Sequence, residues 1–406
     1  MKPTLTLILL LTSAITLAQS EEKLRKKAAK IHQKAFTVDT HADVPIMMAK
    51  EGFDISHKYD WENDGSQIDF PRMKDGGMDA MFFAVYVGQG KRTPEGNSEA
   101  KEKALKIFDL IHSALKKYPD VAELATTSRD GYRIQKAGKR AVFIGMENGW
   151  CIGRDLSNLK LYYDLGLRYI TLSHSFNNDI CDSSGDPEGA EFNGLSSYGE
   201  KVVKEMNRLG IMVDISHVSD STFYDVVKLT KSPLIASHSS CRALCNNKRN
   251  MTDDMIRALA KNGGVIQINF VPDFVKKPSE QQEVSIKELR MKMMRAETTA
   301  DEQKQIEQEF KKLKKQFAKD LPTVADVVNH IDHVVKLVGI DHVGIGMDMD
   351  GGGEVIGCQD VSQIGNITLE LVRRGYSAKD IRKIWGENTM RVLDDNERIA
   401  KELQKK

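Results

Sequence analysis

The chain has almost no surplus of charge. Across 406 residues, 59 Lys and Arg face 58 Asp and Glu, for a formal net charge of +1. So even a balance gives no electrostatic case for binding nucleic acid or an anionic membrane surface. Cysteine is sparse as well. Cys151, Cys181, Cys241, Cys245 and Cys358 are too few for a disulfide scaffold, and the odd count leaves at least one thiol free. No Cys-x-x-Cys occurs. Long apolar runs are missing too. The one candidate, Leu5 to Leu17, falls short of the ~20 residues that cross a bilayer. The C-terminus from Ala400 to Lys406 is polar, so neither a transmembrane anchor nor a lipid-anchor signal is expected there. No Pro/Gly/Ser-rich linker divides the chain, which favours a single domain over residues 19–406.

The N-terminus carries Lys2, a short apolar stretch and then Thr16-Leu17-Ala18. A positive start, a brief apolar core and a small residue at the cleavage point describe a secretory signal peptide over residues 1–18. The expectation is an exported protein, periplasmic or secreted after cleavage near Ala18. Without Lys2 the two charge signs balance.

Eight short apolar, β-branched segments recur along the rest: Phe36–His41, Met78–Val87, Ala141–Glu147, Tyr169–His174, Met212–His217, Leu234–His238, Val265–Phe270 and His342–Asp348. Continuous apolar runs of this length read as strands buried on both faces, as in parallel sheets. Amphipathic stretches such as Ala100–Lys117, Tyr198–Leu209, Ser219–Leu229 and Asp253–Lys261 lie between them. Eight strand–helix units predict an α/β fold, a (β/α)8 TIM-type barrel, rather than a doubly wound sheet. Residues 278–320 break the rhythm. They are dense in Lys, Glu and Gln, with apolar residues at Ile286, Leu289, Met293, Ile306, Phe310, Leu313 and Phe317. Spacings of three and four predict an inserted helical hairpin.

Barrel chemistry sits at the C-terminal ends of the strands. The first expected strand ends in His41 with Asp43 two residues on, where an extended chain would put both side chains on one face. The third ends in Glu147, the fourth in His174, the fifth in His217, the sixth in His238 and the eighth in Asp348. Any one of these residues has an ordinary structural account. Buried ionisable groups are costly unless paired or metal-bound, however, and six such ends on one rim point to a metal site. Imidazole and carboxylate without thiolate suit Zn²⁺ first, then Mn²⁺, Co²⁺ or Fe²⁺, whereas Ca²⁺ and Mg²⁺ prefer all-oxygen shells. The set is too large for one tetrahedral ion and about right for two, which predicts hydrolysis.

Several of these segments together resemble the membrane (renal-type) dipeptidases among the amidohydrolase-like metal-dependent barrels. They are Val38-Asp39-Thr40-His41-Ala42-Asp43, Gly145-Met146-Glu147-Asn148-Gly149, Leu172-Ser173-His174, Asp214-Ile215-Ser216-His217, Ala236-Ser237-His238-Ser239-Ser240 and Gly344 to Gly351. The resemblance runs in order from about residue 30 to 395. It implies a dipeptidase in which a hydroxide bridging two zinc ions attacks the peptide carbonyl. His41 and Asp43 would hold one ion, His217 and His238 the other, and Glu147 would bridge them. Asp348 would shuttle the proton to the leaving amine, and His174 would stabilise the oxyanion. Arg249, in Asn247-Lys248-Arg249-Asn250, would bind the substrate's free carboxylate, a task suited to guanidinium. The resemblance also implies tolerance of a D-residue at the C-terminal position and leaves a homodimer open. Two departures stand out. Met347 and Met349 flank Asp348 and would reshape the pocket, and the segment 278–320 is longer than in the animal enzymes. Another metal-dependent barrel hydrolase, such as a nuclease or lactonase, and a catalytically dead ligand-binding barrel are the competing readings. The neutral charge tells against the first, and the complete ligand set against the second.

Overall fold

The computed structural model describes residues 19–282 and 319–405 without a break, and scattered positions between them. The expected export signal over 1–18 lies outside the described residues, as do Ile286, Met293, Ile306 and Phe310 of the expected hairpin.

Among the described residues nine parallel strands form: β1 (Val38–Ala42), β2 (Ala80–Tyr86), β3 (Ala122–Leu124), β4 (Arg140–Glu147), β5 (Leu167–Thr171), β6 (Met212–Asp214), β7 (Ile235–Ser239), β8 (Val265–Ile268) and β9 (Val343–Ile345). Their order is β1-β2-β4-β5-β6-β7-β8-β9, and β3 pairs only with the first residues of β4, outside the barrel path. The fold is the expected α/β barrel of the TIM type. Every residue of β4 is buried, as its continuous apolar run requires. The last seam, between β9 and β1, closes beyond the end of β9. There Asp348 N–H donates to the His41 carbonyl at 3.1 Å and Asp43 N–H donates to the Met349 carbonyl at 2.9 Å. The barrel therefore closes through residues of the functional rim.

Helices cover the outside. Those at Ser197–Leu209, Asp220–Leu229 and Asp253–Lys261 each start behind a Ser or Thr whose hydroxyl accepts a backbone N–H of the first turn. The helix expected over Ala100–Lys117 begins earlier, at Pro94, because Thr93 caps it and proline fits the first turn. Among the described residues no helix is long and apolar enough to cross a membrane. All five cysteines are free and buried.

A compact cluster fills the barrel interior: Phe82, Phe143 and Tyr169 with Val38, Ile235 and Val265, continued by Met390 and Leu393 of the C-terminal helix. Phe82 and Phe143 stack at 4.7 Å, and the Tyr169 ring lies 5.4 Å from Phe82. This layer supports the rim above it.

The N-terminal helix is tied down by His32. Its Nε2–H donates to the Gly76 carbonyl at 2.8 Å, and its Nδ1 lies 2.7 Å from the Thr368 hydroxyl. That hydroxyl accepts from Trp385 Nε1 at 2.8 Å, so its own hydrogen goes to His32. His330 is held likewise between the Cys241 N–H and the Val275 carbonyl. Burial pushes both imidazoles below their usual value of 6.5, more than the carbonyl contacts raise them. The folded state therefore keeps them neutral, while the unfolded chain takes up protons below about pH 6.5. Stability from these two residues is present above that value and lost as the pH falls through it. Thermal melts from pH 7.5 to 5 should show the midpoint falling faster in the wild type than in His32→Gln/His330→Gln, whatever the absolute stability of the variant.

Candidate metal centre

The seven rim residues expected from the sequence come together at one mouth of the barrel, around Glu147 at the end of β4. Its Oε2 lies 3.4 Å from His41 Nε2, and its Oε1 lies 3.0 Å from His217 Nε2 and 3.4 Å from His238 Nε2. The two oxygens of one buried carboxylate thus face two different groups of ligands. Asp43 Oδ2 stands 3.5 Å from His41 Nε2. Among the described residues three sets hold ligand atoms within 4.8 Å of one another: His41, Glu147 and His238; Glu147, His174 and His217; His41, Asp43 and Asp348. Glu147 belongs to two of the three sets, so five side chains (His41, Glu147, His174, His217 and His238) form two convergences joined at one carboxylate.

The backbone reaches this arrangement differently from the extended strand ends expected. β5, β6 and β9 stop three residues short of His174, His217 and Asp348, which sit on the loops that follow. His217 and Asp348 adopt left-handed backbone with φ of 68° and 60°. That conformation costs about 1–2 kcal/mol in a non-glycine residue and is concentrated at functional sites. Asp43 has also left the strand. It precedes the helix Val44–Met48 with φ −91° and makes no capping bond, which frees its carboxylate to face His41. Gly351 permits the close approach, since a Cβ there would lie 2.1 Å from Asp43 Oδ2 and 2.3 Å from Asp348 Oδ1.

Tyr169, rising from the interior layer, places its hydroxyl 2.8 Å from His41 Nδ1, and so directs Nε2 to the centre. Gly145 leaves room for that ring, because a Cβ there would overlap it at 2.1 Å. Burial pulls His41 down, but Tyr169, Glu147 and Asp43 outweigh it and hold the imidazole well above 6.5. His217 and His238 are pushed well below 6.5, chiefly by burial, and so stay neutral, whereas the carboxylates around His41 draw positive charge to it that a bound cation would supply in place of the proton. For Glu147, burial opposes ionisation, yet His41 and His174 lead the groups that hold its carboxyl well below the usual range. Asp348 goes the other way, to about 8. Burial is the main cause, and Asp43 and Glu147 add to it.

His41 Nε2 and Asp43 Oδ1 are buried with no hydrogen-bond partner. An orphaned imidazole nitrogen and carboxylate oxygen side by side are costly unless a cation satisfies them. The residues therefore fit divalent metal.

Asp43, Glu147, His174, His217, Arg249 and Asp348 line a cavity of about 450 Å³ above the centre. His174 has the most exposed side chain of the four histidines, at 23%, and presents an edge to substrate space rather than only to the ligands. Its ring packs edge-on to Tyr86 at 4.9 Å. Arg249 donates to the His238 carbonyl at 3.1 Å and lies over Phe274 at 5.3 Å. Burial pulls its guanidinium down to about 10, which still leaves it charged at neutral pH. Its buried Nε has no partner.

Met347 and Met349, expected to reshape the pocket, do not line it. Both are fully buried in the core, because alternation along this segment turns Asp348 and Asp350 to the cavity and the methionines away. Leu313 and Phe317 of the expected hairpin close a neighbouring cavity of about 290 Å³ that shares the Val271 and Gly351 walls. Several residues were not singled out from the sequence. Tyr86 ends β2, and Asn269, just after β8, donates to Asp348 Oδ2 at 3.0 Å. Asp39, Asp214 and Asn269 each accept the backbone N–H two residues on. A recurrent Asx turn at the strand end is a signal that Asp39-Thr40-His41 and Asp214-Ile215-Ser216 carry openly.

Imidazoles and carboxylates converging at the C-terminal mouth of a closed parallel barrel define a metal-dependent hydrolase of the TIM-barrel class. More narrowly, the chain belongs to the membrane dipeptidase family, peptidase family M19, whose model matches residues 25–406. Dipeptidase aclJ of Aspergillus oryzae is 32% identical over 342 residues, which cover 83% of this chain and 72% of that one. The probable dipeptidase PvdM from Pseudomonas aeruginosa superposes with a TM-score of 0.81 at 28% identity, over 93% of this chain and 99% of that one. A metallo peptidase from Rhodobacter sphaeroides, solved with a phosphinate mimic of the dipeptide L-Ala-D-Ala, shares the fold with a TM-score of 0.71 at 24% identity. That match covers 89% of this chain and 99% of that one. The protein is a metallo-dipeptidase.

Proposed function

We propose that this dipeptidase works with two zinc ions, one held by His41 and Asp43, the other by His217 and His238, with Glu147 between them. The observation that carries this reading is the split of the Glu147 carboxylate, with Oε2 toward His41 and Oε1 toward His217 and His238. Ions bound there would activate water and polarise the scissile carbonyl. Arg249 receives the substrate's carboxylate as a buried cation with an unpaired donor. Asp348, steadied by Asn269, holds a proton near neutral pH and passes it to the leaving nitrogen. His174 meets the developing oxyanion from the cavity wall. Tolerance of a D-residue at the C-terminal position belongs to the same proposal, as does export directed by residues 1–18, which would put the enzyme among extracytoplasmic dipeptides.

A substrate panel tests it. L-Ala-L-Ala and L-Ala-D-Ala should both be cleaved, with kcat/KM within about tenfold of each other, one decade being about 1.4 kcal/mol. The amide of L-Ala-L-Ala should be a poor substrate, and a chelator should stop all cleavage. Inertness toward L-Ala-D-Ala would remove the stereochemical tolerance. Cleavage indifferent to chelator would remove the metal mechanism.

A further inference from the structure

We infer that Asp214 and Ser237 act as a positioning relay that fixes the tautomer of His238 and keeps its Nε2 bare for the metal. This rests on the reading of His238 as a ligand. Asp214 is fully buried and takes four hydrogen bonds. Its Oδ1 accepts from the Ser216 N–H at 3.0 Å and the Ser237 N–H at 2.9 Å. Its Oδ2 accepts from the Thr171 hydroxyl at 2.5 Å and the Ser237 hydroxyl at 2.6 Å. Two donors on each oxygen leave no place for a proton, so the carboxylate only accepts.

Ser237 has one hydroxyl hydrogen, and Asp214 takes it. The same oxygen lies 2.8 Å from His238 Nδ1, so that contact must run from Nδ1–H to the serine oxygen. A neutral ring with its proton on Nδ1 has a lone pair on Nε2. That nitrogen faces Glu147 Oε1 at 3.4 Å and His217 Nε2 at 2.9 Å. A distant Ser216 hydroxyl, 3.4 Å from the Ser237 oxygen, can only add a second donor to it. The carboxylate thus acts on the metal ligand through an intervening hydroxyl, in the manner of partners that orient ligating histidines.

Donor counting also predicts how the relay fails. In Asp214→Asn the two backbone N–H groups keep the amide oxygen on their side, so the NH2 faces Thr171 and Ser237. Ser237 must then accept from the amide and give its hydrogen to Nδ1. The His238 proton moves to Nε2, the nitrogen that has to be free. Ser237→Ala merely removes the acceptor and leaves either tautomer open. Asp214→Asn should therefore weaken metal binding more than Ser237→Ala does.

The test titrates metal-stripped protein with Zn²⁺ alone against a chromophoric chelator, resolving the affinity of each ion. It also reads the imidazole tautomers of the metal-free wild type by ¹⁵N NMR. The wild type should show one buried histidine as the Nδ1–H tautomer, whose signal is lost in His238→Gln. Ser237→Ala should weaken one of two ions by about tenfold and Asp214→Asn by about a hundredfold, the span typical of such partners. The other ion should be spared. A wild-type His238 protonated on Nε2, or equal weakening of both ions, would overturn the relay. The NMR result stands even if a variant misfolds. If the wild type binds no zinc, the two-ion reading fails instead, and the tautomer still decides the relay.

Discussion

Glu147→Gln is expected to lower kcat/KM for dipeptides on the order of 10³-fold or more, which is about 4 kcal/mol of transition-state stabilisation. The carboxylate serves two ligand groups at once, with His41 3.4 Å from one oxygen and His217 3.0 Å from the other. An amide offers one acceptor oxygen and turns an NH2 toward the other group, so at least one set of ligands loses its anion. The neutral side chain also removes the charge that offsets a bound cation in a fully buried place. Bound metal, measured on the purified variant, should drop below two ions per chain, while the thermal midpoint of metal-free protein changes little. Activity near that of the wild type would show that Glu147 does not join the two halves of the centre.

The second large effect concerns substrate recognition. Arg249→Met should cut kcat/KM for free dipeptides about 10²-fold, mostly through KM. A buried hydrogen-bonded charge contact contributes roughly 1.5–3 kcal/mol, and methionine keeps the packing over Phe274. Dipeptide amides give the control. They lack the carboxylate, so the wild type should cleave them weakly and the variant no more weakly. An equal loss on acids and amides would mean that Arg249 supports the cavity wall without binding the carboxylate.

Much of this architecture was legible in the sequence. Parallel strands buried on both faces have to be continuous apolar runs, so β4 and β8 stand out from the amphipathic helices around them. His41, Asp43, Glu147 and His238 were visible for the same reason, as ionisable residues ending apolar runs. His174, His217 and Asp348 were legible as residues but not in their geometry. The strands stop three residues earlier, and left-handed turns at His217 and Asp348 swing them inward. β3 was missed because Ala122-Glu123-Leu124 lies outside the barrel path with only Ala122 buried, so it carries no continuous apolar run. Tyr169, Asp214, Ser237 and Asn269 were hidden for another reason. A hydroxyl, carboxylate or amide inside a strand–turn segment looks ordinary until the fold shows which imidazole or carboxylate it touches. Met347 and Met349 misled because flanking Asp348 in sequence is not the same as facing the cavity.

Zinc titration of chelator-stripped enzyme, with hydrolysis of L-Ala-L-Ala followed at each addition, tests the central claim most directly. The stripped protein should be inactive, and activity should rise to its plateau at two equivalents of zinc per chain. Full activity at one equivalent, or in the stripped protein, would contradict a centre built from two ligand groups around Glu147.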